Sequence, residues 1–207
     1  CIIFKNETLQ YFSKPLLMVL LFVYFFLQTK LSATSQKIWV GLALFFSWAG
    51  DVLLMFQESK PVFFLLGLSA FLIAHIFYII FFHSVRVLEN IKGNLWLLVV
   101  VVIYYAVLIS ILSPHLGEMK LPVRIYGIVI SFMFMLAMHM LAIKNKTAGR
   151  WMMIGALLFV LSDSLLAINK FYSAFEAAGI LIMLTYGLAQ FFIIEGASRF
   201  ITSKYKE

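Results

Sequence analysis

Cysteine is nearly missing from this chain: Cys1 is the only one in 207 residues. A single cysteine excludes an intrachain disulfide and any cysteine-rich metal cluster. Charge is scarce too, with Asp, Glu, Lys and Arg together making up 12% of the sequence. A soluble domain carries about twice that fraction, so a soluble globular fold is excluded. No G-x-S-x-G occurs, which leaves a serine nucleophile without support. No two histidines stand three or four residues apart, so the usual zinc-site spacing is missing as well, and we expect neither metal nor cofactor. Aspartate is the scarcest acid, with only Asp51 and Asp163.

What the chain has instead is apolar surface: 64% of its residues are hydrophobic and its mean hydropathy is +1.03. The apolar residues fall into seven runs long enough to cross a bilayer, at about 15–31, 38–56, 62–82, 95–112, 122–143, 151–169 and 177–198. Short segments rich in Pro, Gly, Asn and charge separate them, such as Ser113-Pro114-His115-Leu116-Gly117. The runs are too long and too uniformly apolar for barrel strands, and helices satisfy their own backbone in lipid. These features predict an all-α, polytopic transmembrane bundle forming one domain over 1–207, with no room for a soluble domain.

Sixteen Lys and Arg against nine Asp and Glu give a net charge of +7. Because the basic residues sit in loops between apolar runs, anionic lipid and topology account for them, and nucleic acid is not an expected partner. Lys30, Lys37, Arg86, Lys92, Lys144, Lys146, Arg150, Arg199, Lys204 and Lys206 fall on one side of the alternating runs, and the remaining six on the other. The richer side is expected to be cytoplasmic, which puts the C-terminus inside and both aspartates in the outward half of their helices. A bacterial inner membrane is the expected setting.

Asp51 and Asp163 stand 112 positions apart, and each follows a small residue and precedes a leucine pair one residue on. The same offset places Gly67 on Gly179 and Tyr78 on Gln190, helix one on five, two on six and three on seven. A duplicated four-helix unit is the economical reading. Its first helix would fall before Cys1, which gives the expectation of eight helices in the intact protein. Chance alignment of apolar helices is the competing account.

A carboxylate in lipid costs about 2.5 kcal/mol or more, so two of them in matching settings point to function. Ser47 lies four residues before Asp51, on one face, where its hydroxyl can donate to the carboxylate. Asp163 and Lys170 share a face two turns apart, leaving Lys170 at the rim. His75 and Tyr78 form a polar pair on the third helix, and Tyr186 and Gln190 another on the seventh. Polar faces turn inward in lipid, so these residues are expected to share one cavity. Plainer roles compete at each place: interhelical bonding for His75 and Gln190, packing for the tyrosines, and snorkelling for Lys14 and Lys170. Glu195 is expected to pair with Arg199, and His83, His115 and His139 are given no role. Two carboxylates in a poorly hydrated cavity divide their work, one protonated as general acid and the other ionised, which suits hydrolysis of acid-labile ethers or acetals.

Lys14-Pro15-Leu16, S-x-x-G-D-x-x-L at Ser47–Leu54, G-x-x-x-F-x-x-x-H-x-x-Y at Gly67–Tyr78, Ser162-Asp163-x-x-Leu166-Ala167-x-x-Lys170 and Tyr186-x-x-x-Gln190 occur in this order. Together they resemble the lysoplasmalogenase (YhhN-like) family of membrane proteins over nearly the whole chain. The resemblance implies an eight-helix bundle that hydrolyses the vinyl ether of a lysophospholipid, releasing a fatty aldehyde and a glycerophospho-alcohol. It implies Asp51 and Asp163 as the acid–base pair. Ser47, His75, Tyr78, Tyr186 and Gln190 would then orient substrate and water, and Lys14 and Lys170 would meet the phosphate. A proton- or cation-coupled transporter using the same aspartates is the alternative; mid-span Gly or Pro would favour it, and Gly187 and Gly50 are the instances seen.

Overall fold

The computed structural model describes the backbone of residues 7–204 except 33, 58 and 61, and side chains from residue 16 onward with the same exceptions. Seven α-helices follow one another: α1 (Glu7–Gln28), α2 (Ser35–Met55), α3 (Val62–Leu88), α4 (Leu95–Leu112), α5 (Lys120–His139), α6 (Lys146–Ala167) and α7 (Ala178–Lys204). No strand occurs among the described residues. Six of these segments are long and apolar enough to cross a membrane, and the described part of the first, Leu16–Gln28, is apolar but shorter. Such a bundle is a multi-pass membrane protein.

Polar side chains set several helix starts. Thr34 Oγ1 accepts from Lys37 N at 3.4 Å, Asn94 Oδ1 from Trp96 N at 3.0 Å and Asn145 Oδ1 from Ala148 N at 3.1 Å. Each takes up an amide that has no partner inside its helix. Pro122 falls in the first turn of α5, where its missing N–H costs nothing. The helix ends depart from the apolar runs. The third run stops near residue 82, yet α3 continues to Leu88, because leaving the hydrocarbon does not unwind a helix; a stop signal does. That signal is Asn90, at φ 54°, with Ile91 N donating to Arg86 O at 3.0 Å and Asn90 N to Val87 O at 3.0 Å. For the same reason α7 runs to Lys204 rather than 198. Beyond α6 the chain makes one wider turn, Ile168–Tyr172, which carries Lys170.

α2 packs closely on α3, and α6 on α7. At Gly155 an added Cβ would lie 2.6 Å from Ile193 N, and at Gly196 2.7 Å from Ala148 O, so only glycine lets the two backbones approach this far. Phe25, Tyr78, Phe81, Phe82, Phe159 and Phe200 fill the interior. α4 lies at the margin, with Val101 and Leu112 as its buried residues and a lipid-compatible exterior made mostly of Val, Leu and Ile.

One end of the bundle is tied by polar contacts. Glu89, just past α3, accepts from Lys144 N at 3.1 Å and pairs with Lys204 Nζ at 3.2 Å, while Asn145 Nδ2 donates to Ser203 Oγ at 3.3 Å. His139, given no role from sequence, accepts from Asn94 N at 3.1 Å through Nε2 and donates through Nδ1 to Met135 O at 2.8 Å. Burial opposes the charge on Glu89, but the Lys144 amide and the Lys204 ammonium outweigh it and hold the carboxyl below its ordinary value. A depressed value stabilises the fold above the ordinary carboxylate range, and the gain fades as pH falls through the folded value. Glu89→Gln is therefore expected to cost roughly 1 kcal/mol at neutral pH, the upper end for a partly screened pair, and nothing in strong acid. Thermal melting in detergent against pH checks it.

Candidate active site

Both aspartates lie four residues before the last α-helical residue of their span, Asp51 before Met55 in α2 and Asp163 before Ala167 in α6. At 1.5 Å per residue each sits about 6 Å inside its helix end. These are the ends away from the Glu89 cluster, so the acids share one depth near one face.

One partner of Asp51 comes from α7. Tyr186 donates its hydroxyl to Asp51 Oδ2 at 2.7 Å, and the carboxylate is buried, with 7% exposure. Ser47 is engaged across the bundle: Gln190 Nε2 donates to Ser47 Oγ at 3.0 Å. Tyr78 completes the chain by donating to Gln190 Oε1 at 2.6 Å, and all three side chains are buried. A carboxamide with one donor and one acceptor thus ties α2, α3 and α7 together.

The partners of Asp163 come from α3 and α5. Tyr126 donates to Asp163 Oδ2 in a short hydrogen bond. His75 Nε2 faces the same oxygen at 3.8 Å. His75 Nδ1 lies 2.7 Å from Phe71 O, a carbonyl that can only accept, so the ring proton is on Nδ1. Nε2 is then a buried lone pair without a hydrogen-bond partner, turned toward a carboxyl oxygen. At the adjoining residue of α6, Ser164 Oγ is 2.8 Å from the Tyr104 hydroxyl of α4. Two small cavities, of about 40 and 30 Å³, flank Asp163, and Tyr126 lines both. Tyr126 and Tyr104 were missed by sequence reasoning, because a tyrosine among apolar helix residues looks like packing.

Phe159 connects the two groups, its ring centroid 5.5 Å from that of Tyr186 and 4.7 Å from that of His75. Phe71 lines the larger Asp163 cavity and packs on Tyr186 at 5.7 Å. The sites are thus neighbours across an aromatic partition, each acid with its own hydrogen-bond set. Lys170 stays at the rim, its Nζ 3.5 Å from Gln57 Oε1 and 5.0 Å above the ring of Phe64, which lines the cavity beside Asp163. Lys14 lies outside the residues whose side chains are described. Glu195 takes Arg199 Nε at 2.5 Å, as its spacing predicts, and also the Tyr24 hydroxyl at 2.5 Å. Among the described residues, no three His, Cys, Asp or Glu side chains come together.

The model of the YhhN family matches residues 9–197. A protein named lysoplasmalogenase from Mycobacterium bovis is 30% identical over 164 residues, covering 78% of this chain and 60% of the relative. Lysoplasmalogenase TMEM86A of Bos taurus is 35% identical over 173 residues, 81% of this chain and 67% of the relative. Lysoplasmalogenase TMEM86B of Homo sapiens is 32% identical over 159 residues, 76% and 62% respectively. The chain thus spans about 60% of the length of the mycobacterial relative. No solved structure matches it.

Proposed function

The chain belongs to the YhhN family, and from that premise we propose that it is a membrane hydrolase cleaving the vinyl ether of a lysoplasmalogen, with Asp163 and Asp51 as its acids. The relatives named lysoplasmalogenase suggest the substrate. The observation that carries the chemistry is the buried Nε2 of His75, 3.8 Å from Asp163 Oδ2 and without a hydrogen-bond partner. Two lone pairs do not face each other in a dry interior unless a proton lies between them. At 3.8 Å the two atoms stop short of a hydrogen bond, and a proton carried by the Asp163 carboxyl accounts for their facing each other, held where a substrate can collect it.

In this reading Asp163 gives that proton to the outer carbon of the vinyl ether, and the double bond shifts to make an oxocarbenium ion. Asp51 stays ionised, oriented by Tyr186, and stabilises the positive charge. Each cavity beside Asp163 has room for a single water. Asp163, now a carboxylate, takes a proton from that water as its oxygen adds to the cation. That proton restores the acid, and the hemiacetal then collapses to fatty aldehyde and glycerophospho-alcohol as its hydroxyl proton passes to the departing glycerol oxygen. Tyr126 fixes the Asp163 carboxyl, and the Ser47–Gln190–Tyr78 chain fixes the helix that carries Asp51.

The depth of the acids fits the substrate. About 6 Å inside the helix ends is where the glycerol and first chain atoms of a membrane lipid lie, and Lys170 at the rim suits its phosphate. The excess of Lys and Arg at the opposite end puts that end, with the C-terminus, on the cytoplasmic side. The test is to incubate purified protein with lysoplasmalogen and with an ester-linked lysolipid. Aldehyde from the vinyl ether alone is the expected result, and aldehyde from neither rejects the function.

A further inference from the structure

A cavity of about 210 Å³ lies between α1 and α2, lined by Met18, Val19, Phe22, Leu44, Phe45 and Trp48. It does not touch Asp163, and the chemistry above makes no use of it. We propose that it is the binding site for the hydrocarbon chain of a single-chain amphiphile whose vinyl ether comes up against Asp51, the acid that steadies the oxocarbenium, a subsite that rests on the hydrolase reading and deepens it.

The cavity is joined to the acid by direct contact. Met18 Sδ, in its wall, is 3.4 Å from the hydroxyl of Tyr186, and that hydroxyl donates to Asp51 Oδ2 at 2.7 Å. Trp48, also in the wall, comes three residues before Asp51 on the same helix. From Asp51 the lining runs back along α2 to Phe45 and Leu44, about 10 Å deeper. A lipid with its head at the near face and its tail toward the bilayer centre points the same way. The lining bears no charge and is made of Met, Val, Leu, Phe and Trp side chains, so a charged head group does not suit it. The size suits part of one chain: an apolar cavity of about 150 Å³ accepts benzene.

Phe22 and Phe45 add a limit. Both also line a second crevice of about 760 Å³ toward the basic end, where Lys30 and Lys37 stand, so the two rings form the floor between the spaces. A chain that enters past Trp48 stops at this floor. Because bilayer hydrocarbon is as apolar as the cavity, moving a tail from one to the other gains little. The cavity therefore acts by shape, and its signature is selectivity for chain length.

Val19 faces outward at 45% exposure, so Val19→Trp fills the cavity without disturbing the core, whereas Phe22→Ala removes part of the floor. Binding of saturated ether lysolipids, which have no vinyl ether to cleave, reads the cavity apart from the chemistry. Kd is to be measured for a short-chain and a long-chain ether lysolipid, and kcat/KM for the matching alkenyl lipids. Val19→Trp is expected to weaken long-chain binding at least about tenfold relative to short-chain, the scale on which apolar pockets sense a methylene. Phe22→Ala is expected to shift the preference toward longer chains. An unchanged chain-length profile in both variants overturns the proposal. Chain-selective binding that responds to both variants, in a protein that releases no aldehyde, upholds the cavity and rejects the hydrolase.

Discussion

Asp163→Asn is expected to lower aldehyde release from lysoplasmalogen by about 10² to 10⁴-fold, the usual worth of a positioned general acid. That loss corresponds to about 3–5 kcal/mol of transition-state stabilisation. The amide is nearly the same size and still accepts from Tyr126, but it has no proton to give. Asp51→Asn is expected to lose a comparable factor for a different reason: its oxygen still accepts from Tyr186, while the charge that steadies the oxocarbenium is gone. Both changes keep the size of the side chain and the oxygen that accepts from its tyrosine, so melting temperatures should hold. Low activity in a stable protein separates chemistry from misfolding. Aldehyde release at the wild-type rate in either variant removes that aspartate from the mechanism.

Gln190→Leu carries the second large effect, this time on stability. Among the described residues the carboxamide is the one hydrogen-bond partner of the Tyr78 hydroxyl, and it supplies a donor to Ser47, with both partners fully buried. Orphaning a buried polar group costs about 1–3 kcal/mol, so losing this residue should cost about 2–4 kcal/mol. Removing the hydroxyl as well, in Tyr78→Phe/Gln190→Leu, should recover part of that loss, because a missing pair harms less than half a pair. Melting of the two singles and the double in one detergent measures the coupling. A double variant no more stable than Gln190→Leu denies the hydroxyl its place in the network.

Seven apolar runs announced seven helices, because a bilayer demands a minimum length of apolar sequence whatever the packing. The ends of α3 and α7 were not announced. Hydropathy marks where hydrocarbon stops, while His83–Leu88 remain helical until Asn90 supplies a left-handed turn. At the site, Asp51, Asp163, His75 and Gln190 stood out because each is costly in lipid and must be turned inward. Which residue meets which was hidden. Spacing on α2 offered Ser47 to Asp51, and the fold hands Ser47 to Gln190 and Asp51 to Tyr186, since contacts between helices depend on rotations that local periodicity does not encode. Tyr126 gave no signal at all, its hydroxyl costing little among apolar neighbours until Asp163 comes within reach.

Tyr78 and Gln190 touch, and they are the very positions that an offset of 112 makes equivalent. Were two identical chains to meet about such a point, each residue would confront its own likeness, tyrosine against tyrosine or glutamine against glutamine. A single polypeptide is free of that rule, so one copy can become the giver and the other the receiver. The same freedom lets each aspartate keep a tyrosine while Asp163 alone also faces a histidine. Two acids of identical chemistry thereby come to stand in different surroundings, which is what the proposed reaction, needing one loaded and one empty, would require of a single molecule.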